Sequence, residues 1–307
     1  MKFASQFSRR IFLRALPLSG VAIANGHLYR LFAQATTPTP VPIALWSEVC
    51  QELNLSFAET AAVTAEAGLD GIDCPVRPGG QVLPERAADD LPRLAEALAK
   101  HRLKILLMAT GIANPTTPHA ETVLRAASKL GVKYYRLAYW RYEPATPHET
   151  TIQNLIAQLK DLAALNRELG LCALMHHHPG DSLVGAKLLD FLEIARAFSP
   201  DEIAVAFDIG HALNELKGEW RDRFLAVRRH IRVMYLRDFK ANQGYVAMGK
   251  GDVGASGFFP LLREMNYRAP ISYHLEYPWH QGRQKDRKTL VEVMKREAAV
   301  MRGWLRA

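Results

Sequence analysis

From Ile43 onward, short apolar and β-branched runs alternate with longer stretches patterned at helical spacing. The runs predict strands at Ile43–Ser47, Gly71–Val76, Lys104–Ala109, Lys133–Ala138, Cys172–His177, Ala204–Asp208, Arg232–Arg237 and Ile271–Glu276. The stretches between them predict helices near 57–67, 86–101, 119–130, 149–169, 184–198, 213–229 and 256–265. A last helix near 286–304 puts Leu290, Val293, Met294, Met301, Trp304 and Leu305 on one side. Gly68, Gly131 and Gly170 fall where a helix must stop before the next strand, a position that favours left-handed backbone. Eight such units in about 260 residues, with no linker between them, predict a single α/β domain closed as a (β/α)8 TIM barrel. An open doubly wound sheet would want a glycine-rich turn after the first strand. Here that strand runs into Trp46-Ser47-Glu48-Val49-Cys50.

The segment before Ile43 has a different character. Ser8-Arg9-Arg10-Ile11-Phe12-Leu13-Arg14 has the form of a twin-arginine export signal. Lys2, Arg9, Arg10 and Arg14 precede an apolar run, Ala15 to Ala24, which is too short for the roughly 20 residues of a membrane span. Small-x-small cleavage sites lie at Ala22-Ile23-Ala24 and Ala33-Gln34-Ala35. The second divides the chain into a signal peptide 1–35, a Thr/Pro linker 36–42 and the barrel 43–307. The expected route is the twin-arginine translocase, which carries folded and often cofactor-loaded cargo to the periplasm. Residues 1–35 hold five Lys/Arg and no acid, so five of the eight net positive charges belong to the leader and the rest of the chain is near +3. That balance argues against nucleic acid as a partner. No later stretch is long and apolar enough to stay in a membrane. Cys50, Cys74 and Cys172 are too few and scattered for a disulfide framework.

A barrel carries its chemistry at the C-terminal strand ends, and polar residues gather there. Strand 2 ends in Asp73 and leads to Arg77. Strand 4 carries Arg136, and strand 5 ends in His176-His177-His178. Strand 6 ends in Asp208-Ile209-Gly210-His211, strand 7 in Tyr235-Leu236-Arg237-Asp238-Phe239-Lys240, and strand 8 in His274-Leu275-Glu276. Strand alternation puts His176 and His178 on one face and His177 on the other. It likewise aligns Ala204, Ala206 and Asp208, and pairs His274 with Glu276. Imidazole and carboxylate are the donors that divalent ions accept. An inward His274 and Glu276 would be costly to bury without a partner or a metal. Asp208 before Gly210-His211 also reads as a cap for the next helix. Gly249-Lys250-Gly251-Asp252 lacks the spacing of a phosphate loop and is expected to be a flexible loop over the barrel mouth.

At Gly68-Leu69-Asp70-Gly71-Ile72-Asp73, the triple histidine, Asp208-Ile209-Gly210-His211, Tyr235-Leu236-Arg237-Asp238 and Leu275-Glu276-Tyr277, the chain resembles the sugar phosphate isomerase/epimerase family of xylose isomerase-like barrels. The likeness runs over roughly residues 43–305. It implies one divalent metal (Mn, Zn, Co, Fe or Mg) held by Glu, Asp, His and Glu from strands 5 to 8. Carried over, Asp208 matches the Asp and Glu276 the last Glu, with His274 at an equally inward position. His176 falls near the first Glu, and Tyr235 replaces the usual strand-7 His. The expected metal set is therefore His176, Asp208, His274 and Glu276, although a phenol, which holds its proton to about pH 10, is a poor ligand.

The resemblance further implies proton abstraction next to a sugar carbonyl through an enediolate. Glu276 would be the leading base and His176 or His178 its opposite number. Trp46, Arg77, Arg136, His178, His211, Tyr235, Arg237 and Lys240 would contact a small carbohydrate. A keto-glycoside lyase would need nearly the same site. A non-catalytic carbohydrate-binding barrel with a decayed metal site is a rival, and a nuclease of the endonuclease IV type a more distant one. Self-association is left open.

Overall fold

Eight parallel strands close on themselves in a computed structural model that describes residues 40–306. The expected export signal, its cleavage site and most of the linker lie outside the described residues. In chain order the strands are β1 (Ile43–Trp46), β2 (Gly71–Val76), β3 (Lys104–Thr110), β4 (Tyr134–Arg136), β5 (Cys172–His176), β6 (Ile203–Asp208), β7 (Ile231–Leu236), β8 (Asp238–Lys240), β9 (Gly244–Val246) and β10 (Ile271–Tyr273). The barrel runs β1-β10-β7-β6-β5-β4-β3-β2, and β8–β9 is a separate antiparallel hairpin. The helices are α1 (Glu48–Glu52), α2 (Phe57–Glu66), α3 (Ala87–Ala99), α4 (Ala120–Lys129), α5 (His148–Leu169), α6 (Leu189–Ala195), α7 (Ile209–Glu215), α8 (Trp220–Val227), α9 (Phe258–Glu264) and α10 (Arg287–Arg306). The single-domain TIM barrel read from the sequence is thus the observed fold. No described helix is long and apolar enough to cross a membrane.

Alternation along each strand sorts side chains into two cores. Ala44, Leu107, Cys172, Leu174, Ala204, Ala206, Val233 and Tyr235 fill the barrel interior. A larger apolar shell lies between strands and helices, including Ile43, Leu45, Phe207 and Met234. The interior residues under the mouth on β6 are the alanines Ala204 and Ala206, which leave room for large polar groups above them. The register slips at Val205/Ala206, shortly before β6 ends in Asp208, and at Ile72/Asp73 within β2. Such irregularities re-aim side chains at a barrel rim.

Four local readings change. Strand 4 contracts to β4, and strand 8 to Ile271–Tyr273, although the His274 N–H still donates to the Leu236 carbonyl at 3.0 Å. The helix expected over 213–229 is two helices. The first, α7, begins directly after Asp208, whose side chain caps it by accepting from the His211 N–H. The β8–β9 hairpin and α1 were not expected. The Gly249–Asp252 loop is pinned rather than loose: Asp238 accepts from the N–H groups of Gly249, Gly251 and Val253 at 2.8, 2.9 and 3.2 Å. All three cysteines are buried and free, as expected.

Candidate active site

Asp208, at the end of β6, is the hub of the barrel mouth. Its Oδ1 accepts the His211 N–H at 3.0 Å. Its Oδ2 faces Arg237 Nη2 at 2.8 Å, His176 Nε2 at 3.3 Å and His211 Nε2 at 3.6 Å. Arg237 reaches this point from just beyond β7 because Gly210 gives way: a Cβ there would lie 2.3 Å from Arg237 Cγ and 2.7 Å from its carbonyl oxygen. Burial by itself would raise the Asp208 carboxyl. The Arg237 guanidinium, helped by His211 and His177, outweighs burial and brings the carboxyl down to about 2.

Arg237 continues the network toward β10. Nη2 lies 3.2 Å from His274 Nδ1, and Nη1 pairs with Glu276 Oε2. A guanidinium only donates, so His274 Nδ1 accepts. His274 Nε2–H then donates to Ser272 Oγ at 3.1 Å, and Ser272 donates to Asp73 Oδ2 at 2.7 Å. Burial, reinforced by Arg237, holds His274 neutral with a pKa down at about 4. Glu276 Oε1 stands 3.0 Å from His274 Nδ1. Burial pushes this carboxyl up and the Arg237 guanidinium draws it down; in this tautomer Nδ1 has no proton to give it. The chain ends at Asp73, raised by burial, whose Oδ1 has no hydrogen-bond partner. Tyr235 Oη is likewise unpartnered. Burial first, then the Asp73 charge, keeps this phenol protonated.

On the other side, His176 is closed in at both nitrogens. Asp208 only accepts, so His176 Nε2–H donates to it, and Nδ1 accepts from Tyr139 Oη at 3.0 Å. The His176 side chain has no exposed surface, whereas Tyr139 is 39% exposed. His211 Nδ1 meets Tyr245 Oη, from β9, at 2.6 Å. The predicted contact residues fall into two groups. Trp46, Arg136, His178, His211, Tyr235 and Arg237 converge on the mouth. There Trp46 stacks on His274 with centroids 5.1 Å apart, and Arg136 lies over its ring at 5.2 Å, so the indole already packs against the protein's own residues. Arg77 pairs with Glu48 at 2.5 Å and also lies over the Trp46 ring at 5.8 Å. Lys240, on the hairpin, makes no side-chain hydrogen bond or ion pair among the described residues. His178 packs between Tyr139 and His211, and His177 points outward against Phe207. Sequence reading missed Tyr139, Tyr245 and Ser272. Tyr139 lies one residue past the predicted fourth strand, Ser272 lies inside the eighth two residues before His274, and Tyr245 lies beyond any predicted strand on the hairpin.

Among the described residues, His176, Asp208 and His211 bring one donor atom each within 4.8 Å of the others and could hold a metal ion. Burial keeps both imidazoles neutral, the form that ligates. The donor types therefore suit a divalent ion. The occupancy does not, because Asp208 Oδ2, the shared oxygen, is already ion-paired with Arg237 at 2.8 Å. His274 and Glu276, expected as ligands, lie outside this group, tied to the same guanidinium. His211, expected as a substrate contact, lies inside it.

The fold is shared with solved barrels of known chemistry. D-psicose 3-epimerase from Clostridium cellulolyticum H10, solved with D-tagatose, is 12% identical with a TM-score of 0.68, covering 87% of this chain and 99% of that one. The IolI protein with a bound zinc atom is 17% identical with a TM-score of 0.65, covering 86% and 98%. 3-Keto-D-glucoside 4-epimerase from E. coli is 14% identical with a TM-score of 0.60, covering 83% and 99%. At these identities the likeness shows the fold. A search of curated protein sequences finds no match. The family described as the xylose isomerase-like TIM barrel matches residues 61–302. With a closed eight-stranded barrel and a histidine–carboxylate cluster at its C-terminal mouth, this chain belongs to the xylose isomerase-like TIM barrel family.

Proposed function

We propose that this barrel is an isomerase or epimerase of a sugar or keto-sugar, moving a proton on the carbon next to a carbonyl. The observation that carries the reading is the run of ion-paired and hydrogen-bonded groups His176–Asp208–Arg237–Glu276. It sets an acid–base group at each end of a buried cation. Similar barrels that act on psicose and on a 3-keto-glucoside support the substrate class. Glu276 is the ionised carboxylate nearest solvent at the mouth and serves as one proton acceptor. Paired with the Arg237 guanidinium, it is a weak base in this arrangement, so substrate must compete with Arg237 for its oxygen. At the other end Tyr139, not His176, is the group exposed to a ligand. Its phenol gives or takes the proton, and His176 beneath it, oriented by Asp208, accepts or returns it. His176 thus acts through Tyr139.

Metal dependence is the finer part of this reading. An ion on His176, Asp208 and His211 would polarise the carbonyl and an adjacent hydroxyl, and it would have to displace Arg237 from Asp208. Expulsion of a β-substituent from the same enediolate would make the protein a lyase. A purely carbohydrate-binding role is favoured by one feature, the protonated Tyr235 at the position where the family resemblance implies a ligand. Incubation with a panel of ketoses and keto-glycosides in deuterated water separates these. Deuterium at the carbon next to the carbonyl supports proton transfer, and loss of substituent marks a lyase. Saturable binding without exchange or elimination supports a binding barrel. We also propose export to the periplasm by the twin-arginine route, on the strength of Ser8–Arg14. Retention of the precursor in translocase-deficient cells, but not in wild-type cells, would support it.

A further inference from the structure

We infer that Arg237 occupies the place of the positive centre in this barrel, so that a guanidinium rather than a divalent ion is the charge on which Asp208, His274 and Glu276 converge. The inference rests on the sugar-carbonyl reading above only for what that charge would do in a reaction. The occupancy itself is read from geometry. Nη2 is shared between Asp208 Oδ2 and His274 Nδ1, at 2.8 and 3.2 Å, and Nη1 takes Glu276. Arg237 is 2% exposed, and its Nε, also buried, has no hydrogen-bond partner. The side chain is therefore placed at its tip by two hydrogen-bond acceptors, Glu276 and His274, and by the Asp208 carboxylate, rather than by solvent.

Two further features of the chain make room for it. Gly210 lies where any Cβ would collide with the Arg237 stem and carbonyl, so the Asp-Ile-Gly-His turn is shaped to admit this arginine. Tyr235, two residues earlier on β7, sits inside the barrel with its ring 4.4 Å from that of His176 and 5.2 Å from that of His274. A protonated phenol there supplies no anionic oxygen to an ion. The remaining donors, His176, Asp208 and His211, hold one carboxylate between them. Its facing oxygen would have to serve a divalent ion and a guanidinium at once, two like charges in a water-poor site. In a reaction through an enediolate, Nη1 and Nη2 are fixed donors that could meet the developing oxyanion once Glu276 turns to substrate, the role preorganised cations play elsewhere.

The test reads metal as well as activity. Elemental analysis of the purified full chain, a cobalt(II) titration followed by visible absorption, and zinc-dependent thermal shift are compared for wild type, Arg237→Lys, Arg237→Ala and Arg237→Ala/Asp208→Asn. Expected results are less than a tenth of an equivalent of metal in wild type and in Arg237→Lys. One equivalent of cobalt should be gained in Arg237→Ala and lost again in the double variant. Stoichiometric metal in wild type that disappears in Asp208→Asn overturns the inference, and this arm needs no variant at position 237 to fold. Failure of a folded Arg237→Ala to gain cobalt overturns it as well. Deuterium exchange into ketoses, measured in parallel with chelator present, should persist in wild type and fall about 100-fold or more in Arg237→Ala. A metal-free wild type that exchanges no proton in any sugar leaves the occupancy standing and sinks the functional reading. An active wild type that needs its metal does the reverse.

Discussion

Tyr139 Oη lies 3.0 Å from Nδ1 of His176, and the opposite nitrogen of that ring donates to Asp208. A partly exposed phenol is thereby coupled through a buried imidazole to a buried carboxylate. Tyr139→Phe removes the proton and leaves the ring. Because the hydroxyl is the donor to the buried His176 Nδ1, its loss strands that nitrogen, and stability should fall by about 1–3 kcal/mol. Exchange of the sugar α-proton should fall about 100-fold, the low end of general acid–base contributions. Single-turnover deuterium incorporation checks this, and exchange at the wild-type rate in the folded variant would remove Tyr139 from the mechanism.

Asp208→Asn tests the hub. The substitution keeps the size of the side chain and one acceptor, but leaves Arg237 buried beside a neutral amide. Removing one partner of a buried pair costs about 3–5 kcal/mol. Glu276 still balances part of the charge here, so about 3 kcal/mol is expected. Urea denaturation at pH 7 measures it. A loss below about 1 kcal/mol would mean that Arg237 draws its compensation from Glu276 and His274 alone.

The barrel was legible because short apolar runs alternate with helically patterned stretches eight times, and three of the helices end in glycine. That pattern depends only on local chemistry, and Gly68, Gly131 and Gly170 do take positive φ. The direction of the strand-5 histidines was legible for the same reason. Tyr139 and Tyr245 were not. They lie in a loop and on a short hairpin, and only the closure of the barrel brings them to His176 and His211. The role of Arg237 was hidden differently. Its position was identified, but a sequence does not say that Gly210 leaves a channel for its stem. An expected metal set and a guanidinium can both satisfy the same inward His274 and Glu276.

Acid should destabilise the fold in two stages. His177 and His274 are buried, with pKa values lowered to about 4 from 6.5, chiefly by burial. Asp208 and Arg237 face both, with His178 near His177 and Glu276 beside His274. Above pH 6.5 these groups are neutral folded or unfolded and contribute nothing to the pH dependence. Between 6.5 and 4 the unfolded chain takes up protons that the folded one refuses, so stability falls with pH, by on the order of 3 kcal/mol per group. Asp208, held down at about 2, adds stability that is full above its unfolded value and fades as pH drops toward 2. Unfolding free energies from urea titrations between pH 4 and 8 should therefore slope upward to about 6.5 and then flatten. A flat profile across that range contradicts the buried neutral histidines.

Asp238 governs the loop behind the site. It starts β8, and its two oxygens take four backbone donors: Phe239 at 3.0 Å and Val253 at 3.2 Å on Oδ1, Gly249 at 2.8 Å and Gly251 at 2.9 Å on Oδ2. Gly251 must lack a side chain, since a Cβ there would come within 2.3 Å of Oδ1. The same hairpin carries Tyr245 to His211, so the carboxylate braces one wall of the mouth without touching it. Asp238→Ala strands these N–H groups, only partly reachable by water, and should cost about 2–4 kcal/mol. Asp238→Asn keeps one acceptor oxygen and should cost about half as much. Amide hydrogen exchange resolves the local effect: Gly249 and Gly251 should lose protection in Asp238→Ala while β5 and β6 keep theirs. Protection at both glycines equal to wild type in the alanine variant would show that the loop is held by its packing and not by the carboxylate.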